Sequence, residues 1–378
     1  MNNKDKLYFK NLDSIRFFAA LMVFFQHGIS PCYKYLPFKN ETLERILEVI
    51  SNGGTGVSIF FVLSGFLITF LLITEYETHH HISLKNFYIR RLLRIWPLYF
   101  LVVLFTFLIY PFFKSLIGAN NPLGSNILYH LTFLSNFDVI HVEKLGLGNS
   151  AMSQNITWSV SIEEQFYLFW PLIFVFLPRK AWGYSILSVI TISMVFRIAH
   201  FKDNVVLYFH TLSVLVDLGI GGLTAYLIKR FRNVSIFFEN SSTYHHLVFF
   251  ALSMSLLYWN ESIFCFEYGY AVSRIFISVS FALIIAAQAL TKRESALNLG
   301  HISFANKWGK YTYGIYLIHP IAITLLDVAV RMLHIKSDNF IYSLLTGVAG
   351  LIFTLFLSKM SYEYYESRFL RLKEKFSA

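Results

Sequence analysis

Cysteine is nearly absent from this 378-residue chain: Cys32 and Cys265 are its two thiols, too few for a zinc framework or a disulfide-rich scaffold. Charge is scarce as well. Asp, Glu, Lys and Arg make up 14% of the residues against 56% hydrophobic ones. Apolar runs of about 20 residues recur along nearly the whole length, leaving no stretch for a soluble domain. The signatures HExxH, GxSxG, GxGxxG and paired CxxC do not occur. The glycine-rich NGGTGVSIFFVLSGF lacks the Lys and the Ser or Thr of a phosphate-binding loop, so its small residues point to close helix approach or room for a ligand. Acidic residues number 22 against 32 basic ones, a net charge of +10. That excess falls in short clusters between apolar spans, where topology explains it, and no nucleic-acid partner is expected.

What the chain has in abundance is aromatic residues, with 40 Phe and 23 Tyr, which suit lipid-facing surfaces and interfacial belts. The pattern predicts an all-α polytopic membrane protein of about ten transmembrane helices, one integral-membrane domain over residues 1–378. The spans are expected near 14–32, 56–75, 91–113, 161–178, 183–201, 205–228, 244–259, 270–290, 311–333 and 340–362. Most Lys and Arg residues, such as Lys4, Lys6 and Lys10, or Arg90, Arg91 and Arg94, fall on one set of connections. That bias puts both termini in the cytoplasm. MNNKDKLYFKNLDSIR leads into the first span without a small-residue cleavage site and reads as the start of an uncleaved first helix. Cys32 and Cys265 both fall on the outer side, which leaves a single disulfide chemically open. One connection is long, about Lys114 to Thr157, and within it ILYHLTFLSNF is expected to lie as a short helix at the membrane surface. No internal repeat is visible.

Four polar constellations interrupt the spans. In LDSIRFFAALMVFFQHGIS, Asp13 and Arg16 lie at the membrane boundary and His27 eleven residues beyond Arg16. At about 100° per residue, Arg16 and His27 fall on one helical stripe roughly 16 Å apart. An ionisable group inside a bilayer costs about 2.5–3.5 kcal/mol on insertion scales, so it marks either a polar site or an imidazole satisfied by a neighbouring helix. In FYIRRLLRIWP, Arg91 and Arg94 share a helix face and form a fork for phosphate or carboxylate, or anchor the span at the inner boundary. TWSVSIEEQFYLFWP places Glu163 and Glu164 at the outer end of the fourth span, with Trp158 and Ser161 beside them. Adjacent residues diverge by about 100°, so one glutamate at most points squarely into a shared site. In KYTYGIYLIHPIAI, His319 precedes a span proline that frees a backbone carbonyl and can kink the helix at a cavity.

Together these segments resemble the membrane acyltransferase-3 family, which acylates surface polysaccharides, lipopolysaccharide and related glycans. LDSIRFFAALMVFFQHG is similar to the family's opening, with ten residues between Arg16 and His27. GVSIFFVLSGFLIT resembles its second span, FYIRRLLRIWPLY contains its RxxR element, and WSVSIEEQFYLFWP and GIYLIHP match later signatures. Ser14 stands where the family often has glycine. With no esterase-like domain after the last span, the chain resembles a stand-alone form.

The resemblance implies an O-acyltransferase in a bacterial inner membrane. Acyl-CoA, usually acetyl-CoA, would serve as donor from the cytoplasm, and a hydroxyl of a glycan or lipid-linked saccharide as acceptor outside. No metal is expected, and the surrounding partners are membrane lipids. His27 is then the general base, with Glu163 or, second, Glu164 orienting it or the acceptor. Arg16, Arg91 and Arg94 would bind the donor, and Asp13, Trp158, Ser161 and His319 would flank the site or the substrate. An acetyl-histidine relay is the rival mechanism. A proton-coupled transporter or flippase of a lipid-linked sugar is the alternative from another class.

Overall fold

The computed structural model describes residues 9–36, 40–116, 124–147, 152–333 and 339–376, and these contain helices and turns without a strand. Among the described residues, ten long helices carry the architecture. They are α1 (Lys10–Phe24), α2 (Gly53–His79), α3 (Leu84–Leu104), α4 (Met152–Phe176) and α5 (Arg179–Ala199), then α6 (Thr211–Arg230), α7 (Thr243–Tyr258), α8 (Gly269–Leu290), α9 (Thr312–Met332) and α10 (Phe340–Met360). Each expected span coincides with one of them. Eight helical stretches among the described residues are long and apolar enough to cross a membrane; α4 and the 16-residue α7 account for the other two expected spans. The chain is a multi-pass membrane protein.

Two boundaries differ from expectation. The regular part of the first span ends at Phe24, where Phe25–Ile29 forms a π turn followed by a 3-10 turn over Ser30–Tyr35. His27 therefore sits on a widened turn and not on the strict 3.6-residue stripe drawn from Arg16. Single-turn π segments occur often at functional sites. The fourth helix begins at Met152, well before 161, so Glu163 and Glu164 lie in mid-helix and not at its outer end. The sequence hid this start because TWSVS is too polar to continue an apolar run.

The bundle is drawn tight where α2 crosses α6. A Cβ on Gly65 would come within 1.9 Å of the Leu218 carbonyl oxygen, and one on Gly221 within 1.9 Å of the Val62 carbonyl oxygen. Only glycine lets these two backbones meet, as the small residues of the second span foreshadowed.

The long connection forms two short helices, Ile127–Leu131 and Ser135–Lys144, in place of the single surface helix expected. They are tied to the bundle by buried side chains: His130 Nε2 lies 3.3 Å from Asp138 and its Nδ1 3.0 Å from the Thr157 hydroxyl, while Gln165 donates to the Phe133 carbonyl at 2.8 Å. Residues 1–8, which include most of the basic N-terminal segment, and most of SLIGANNPLGSN lie outside the described residues. Both cysteines are free thiols, Cys32 buried and Cys265 exposed.

Candidate active site

The helix α1 carries polar groups at both ends. At its start Arg16 donates to Asp13 at 2.5 Å, an i,i+3 pair that holds the guanidinium at the helix boundary. Helix α3 enters from the same end and brings its arginines to the same place. Arg90 is consumed by structure: it donates to Glu75 at 3.1 Å and to the Phe376 carbonyl at 2.9 Å. Arg91 and Arg94 are not. The Arg91 guanidinium lies over the rings of Phe87 and Tyr167, at 5.7 and 5.5 Å, while its buried Nε has no partner among the described residues. Arg94 is exposed and makes no hydrogen bond or ion pair among the described residues. Arg94 is electrostatically coupled to both Arg16 and Arg91. Three cations from two distant sequence segments thus converge, and like charges at short range favour an anion between them.

The two glutamates belong to this cluster. Glu163 is electrostatically coupled to Arg91, Arg94 and Glu164. Glu164 accepts a hydrogen bond from the Trp96 indole at 2.8 Å on one oxygen, and its other, buried oxygen has no partner among the described residues. The two adjacent carboxylates thus have different surroundings, yet the charge of each feels that of Arg91. Tyr167, one turn on, hydrogen-bonds Ser64 of α2 and stacks on Arg91, which locks α4 against α2 and α3.

At the far end of α1 the partner of His27 comes from α9. The rings of His27 and His319 have centroids 5.4 Å apart and planes tilted by 31°. His319 is buried, and its Nδ1–H donates to the Tyr316 carbonyl at 2.7 Å, a backbone group near the helix proline Pro320. That bond fixes the tautomer, leaving Nε2 as a bare acceptor, and Nε2 has no partner among the described residues. Tyr316 in turn shares a 2.5 Å hydrogen bond with Ser159 of α4. His27 itself is half-buried, on the widened turn.

Two residues expected to flank the site or the substrate are packed inside the bundle. Trp158 packs among Phe61, Tyr208 and Phe209, and Ser161 is wholly buried, bonded to Ser135 at 2.7 Å and next to Tyr99. Five and two residues before Glu163, they lie on other faces of α4. Sequence reasoning missed Trp96, Ser159, Tyr316 and the buried Glu366, which is coupled to Arg94 from the extension of α10. The visible signal was their place inside or just beyond the motifs already singled out. Among the described residues no three His, Cys, Asp or Glu side chains come together as a metal site.

Comparison with known proteins places these residues in a family. A family model described as an acyltransferase domain matches residues 9–359. A Staphylococcus aureus protein named an O-acetyltransferase is 30% identical over 61% of this chain and 36% of its own length. Listeria monocytogenes OatA, named a peptidoglycan O-acetyltransferase, is 36% identical over 32% of this chain and 19% of that protein. Bacillus subtilis YrhL, also named for peptidoglycan O-acetylation, is 28% identical over 95% of this chain and 54% of its own length. The chain thus spans about half the length, or less, of the curated relatives it matches. No solved structure matches it. With the family model covering nearly the whole chain, from the arginine cluster through both histidines, this protein belongs to the membrane acyltransferase-3 family.

Proposed function

We propose that this protein transfers an acyl group, acetyl by the naming of its relatives, from acyl-CoA to a hydroxyl of a glycan across a bacterial cytoplasmic membrane. One observation supports the reading above all: the first helical stretch joins a cluster of three arginines, two of them without an ion pair among the described residues, at one end to a histidine pair at the other. At about 1.5 Å per residue the two ends are roughly 16 Å apart, a distance suited to a long, flexible thioester donor anchored by its phosphates. The basic clusters of the sequence put the arginine end in the cytoplasm, where acyl-CoA is made.

In this reading Arg16, Arg91 and Arg94 hold the phosphates of coenzyme A, and Asp13 and Glu163 keep the guanidinium groups aimed. His27 takes the proton of the acceptor hydroxyl as its oxygen bonds to the thioester carbonyl carbon. The carbon–sulfur bond then breaks, and the imidazolium returns the proton to the departing thiolate. His319 is a positioning residue: its bare Nε2 accepts a hydrogen bond that orients the reacting imidazole or the water beside it. Glu163 and Glu164 stand with the arginines in this arrangement, so their part is on the donor side.

The test supplies labelled acetyl-CoA to inside-out membranes containing the protein and follows label into the glycan fraction. Wild type is expected to transfer label and His27→Ala to lose it. Equal labelling by both proteins would overturn the assignment of His27.

A further inference from the structure

Beside the histidine turn lies a cleft that the chemistry above leaves unused. It holds about 550 Å³, within the ~300–1,000 Å³ range of small-ligand sites. Gln26, the residue before His27, lines it from the π turn. The helix Glu41–Ile50 supplies Glu44 and Glu48, four residues apart and so on one face. Tyr33 and Tyr208 contribute phenol rings. The glycines that open α2 make room for two of these groups: a Cβ on Gly53 would come within 2.3 Å of the Gln26 side-chain oxygen, and one on Gly54 within 3.0 Å of the Tyr208 hydroxyl.

The polar groups of the cleft divide into used and unused. Ser51 donates to the Leu47 carbonyl at 2.6 Å, and Asn52 caps α2 by accepting from the Thr55 amide at 2.9 Å. The side chains of Gln26, Glu44, Glu48 and Tyr208 make no hydrogen bond or ion pair among the described residues. No Lys or Arg is among the residues described as lining it. Two free carboxylates accept from paired hydroxyl groups, a carboxamide both donates and accepts, and phenol rings pack on apolar ring faces. That set recognises a hydroxyl-rich, uncharged ligand, and its negative charge repels phosphate and uronate.

We infer that this cleft is the acceptor subsite and takes an uncharged saccharide unit, holding one of its hydroxyl groups toward the turn that carries His27. The inference rests on the acyl-transfer reading for the identity of the ligand as acceptor, while the binding itself is separable from it.

The experiment measures binding of an uncharged N-acetylglucosamine disaccharide and of a uronate-containing disaccharide to the full chain in detergent, by saturation-transfer NMR. The wild type is expected to bind the uncharged sugar in preference. The Glu44→Gln, Glu48→Gln double variant should weaken that binding about tenfold or more, as lost charge-assisted hydrogen bonds do, and Tyr208→Phe by less. Acetyl-CoA binding, measured on the same samples, should be unchanged and reports that the variants are folded. No binding of the uncharged sugar, equal affinity in wild type and double variant, or preference for the uronate would each overturn the subsite. Saccharide binding without any label transfer from acetyl-CoA would instead overturn the acyl-transfer reading and leave the cleft as a saccharide site.

Discussion

Two buried polar regions share this helical bundle, and they are built on opposite principles. In the first, between α5, α6 and α8, every charge is answered. Arg197, almost wholly buried, donates to the carbonyls of Ala271 at 2.7 Å, Tyr270 at 3.0 Å and Leu207 at 3.1 Å, and to the Ser213 hydroxyl at 2.6 Å. Asp217 accepts from Arg274 at 2.7 Å and from the Ser278 hydroxyl at 2.6 Å. In the second, between α1, α3, α4 and α9, the atoms Arg91 Nε, Glu164 Oε1 and His319 Nε2 are buried without partners among the described residues. A buried polar group without a partner costs about 1–3 kcal/mol, more if charged. Leaving such atoms at both ends of the site makes sense where a ligand or water completes the bonding. Closed networks hold helices together, and open ones bind.

That contrast can be broken by substitution, because the closed region should fail by unfolding and the open one by losing activity. The largest effect expected is on transfer: His27→Ala should lower it by about 10²–10⁴-fold, the usual worth of general base catalysis, with no drop in thermal stability in detergent. A variant that unfolds instead would move His27 into the structural class. Next, Arg197→Ala or Asp217→Ala should destabilise the protein by about 3–5 kcal/mol, because each strands a buried partner. Thermal melts of the purified protein check this, and an unchanged melting temperature would erase the distinction between the regions.

Gly65→Ala should cost about 1–3 kcal/mol by forcing α2 off α6, again read as a shift in melting temperature with donor affinity unchanged. Arg94→Ala should raise the KM for acetyl-CoA about tenfold, as for a lost charge-assisted contact, with little change in kcat or stability; an equal fall in kcat would place Arg94 at the reacting atoms. The smallest stability effect is expected from Glu164→Gln, which keeps the Trp96 hydrogen bond through its amide oxygen and removes an unanswered charge. Its melting temperature should be equal to wild type or slightly higher, and a marked loss would show that the orphan oxygen has a structural partner after all. His319→Gln should lower kcat by about tenfold or more while leaving KM for the donor alone, the split expected of a positioning residue.

Much of this was legible from the residues. Long apolar runs imply helices because lipid offers no hydrogen bonds to an irregular backbone, and ten of them were visible. The R-x10-H spacing and the RxxR element flagged Arg16, His27, Arg91 and Arg94; the structure sets Arg16 near the other two arginines and His27 on the turn beyond the far end of α1. Other features could not be read. Glu163 was expected to orient His27 or the acceptor; its charge faces those of Arg91 and Arg94, and His27 has an imidazole neighbour from α9. The reason lies in nine residues of helix start: moving the beginning of α4 back from 161 to Met152 shifts the glutamates from the end of the helix to its middle. Arg91 and Arg90 are adjacent in sequence and chemically identical, and nothing local distinguishes the one tied to Glu75 from the one left open.

The sequence by itself therefore determined the membrane class, the number and order of helices, the family and the residue types that carry charge into the bilayer. Those properties depend on composition and period, which are local. Tertiary structure alone decided which charges answer each other. Arg197 finds carbonyls 74 positions away while Arg94 finds none, and His319 is brought to His27 across most of the chain. Burial makes such pairings matter, since a charge in low dielectric must be satisfied by whatever packing sets beside it, and packing is a property of the whole bundle.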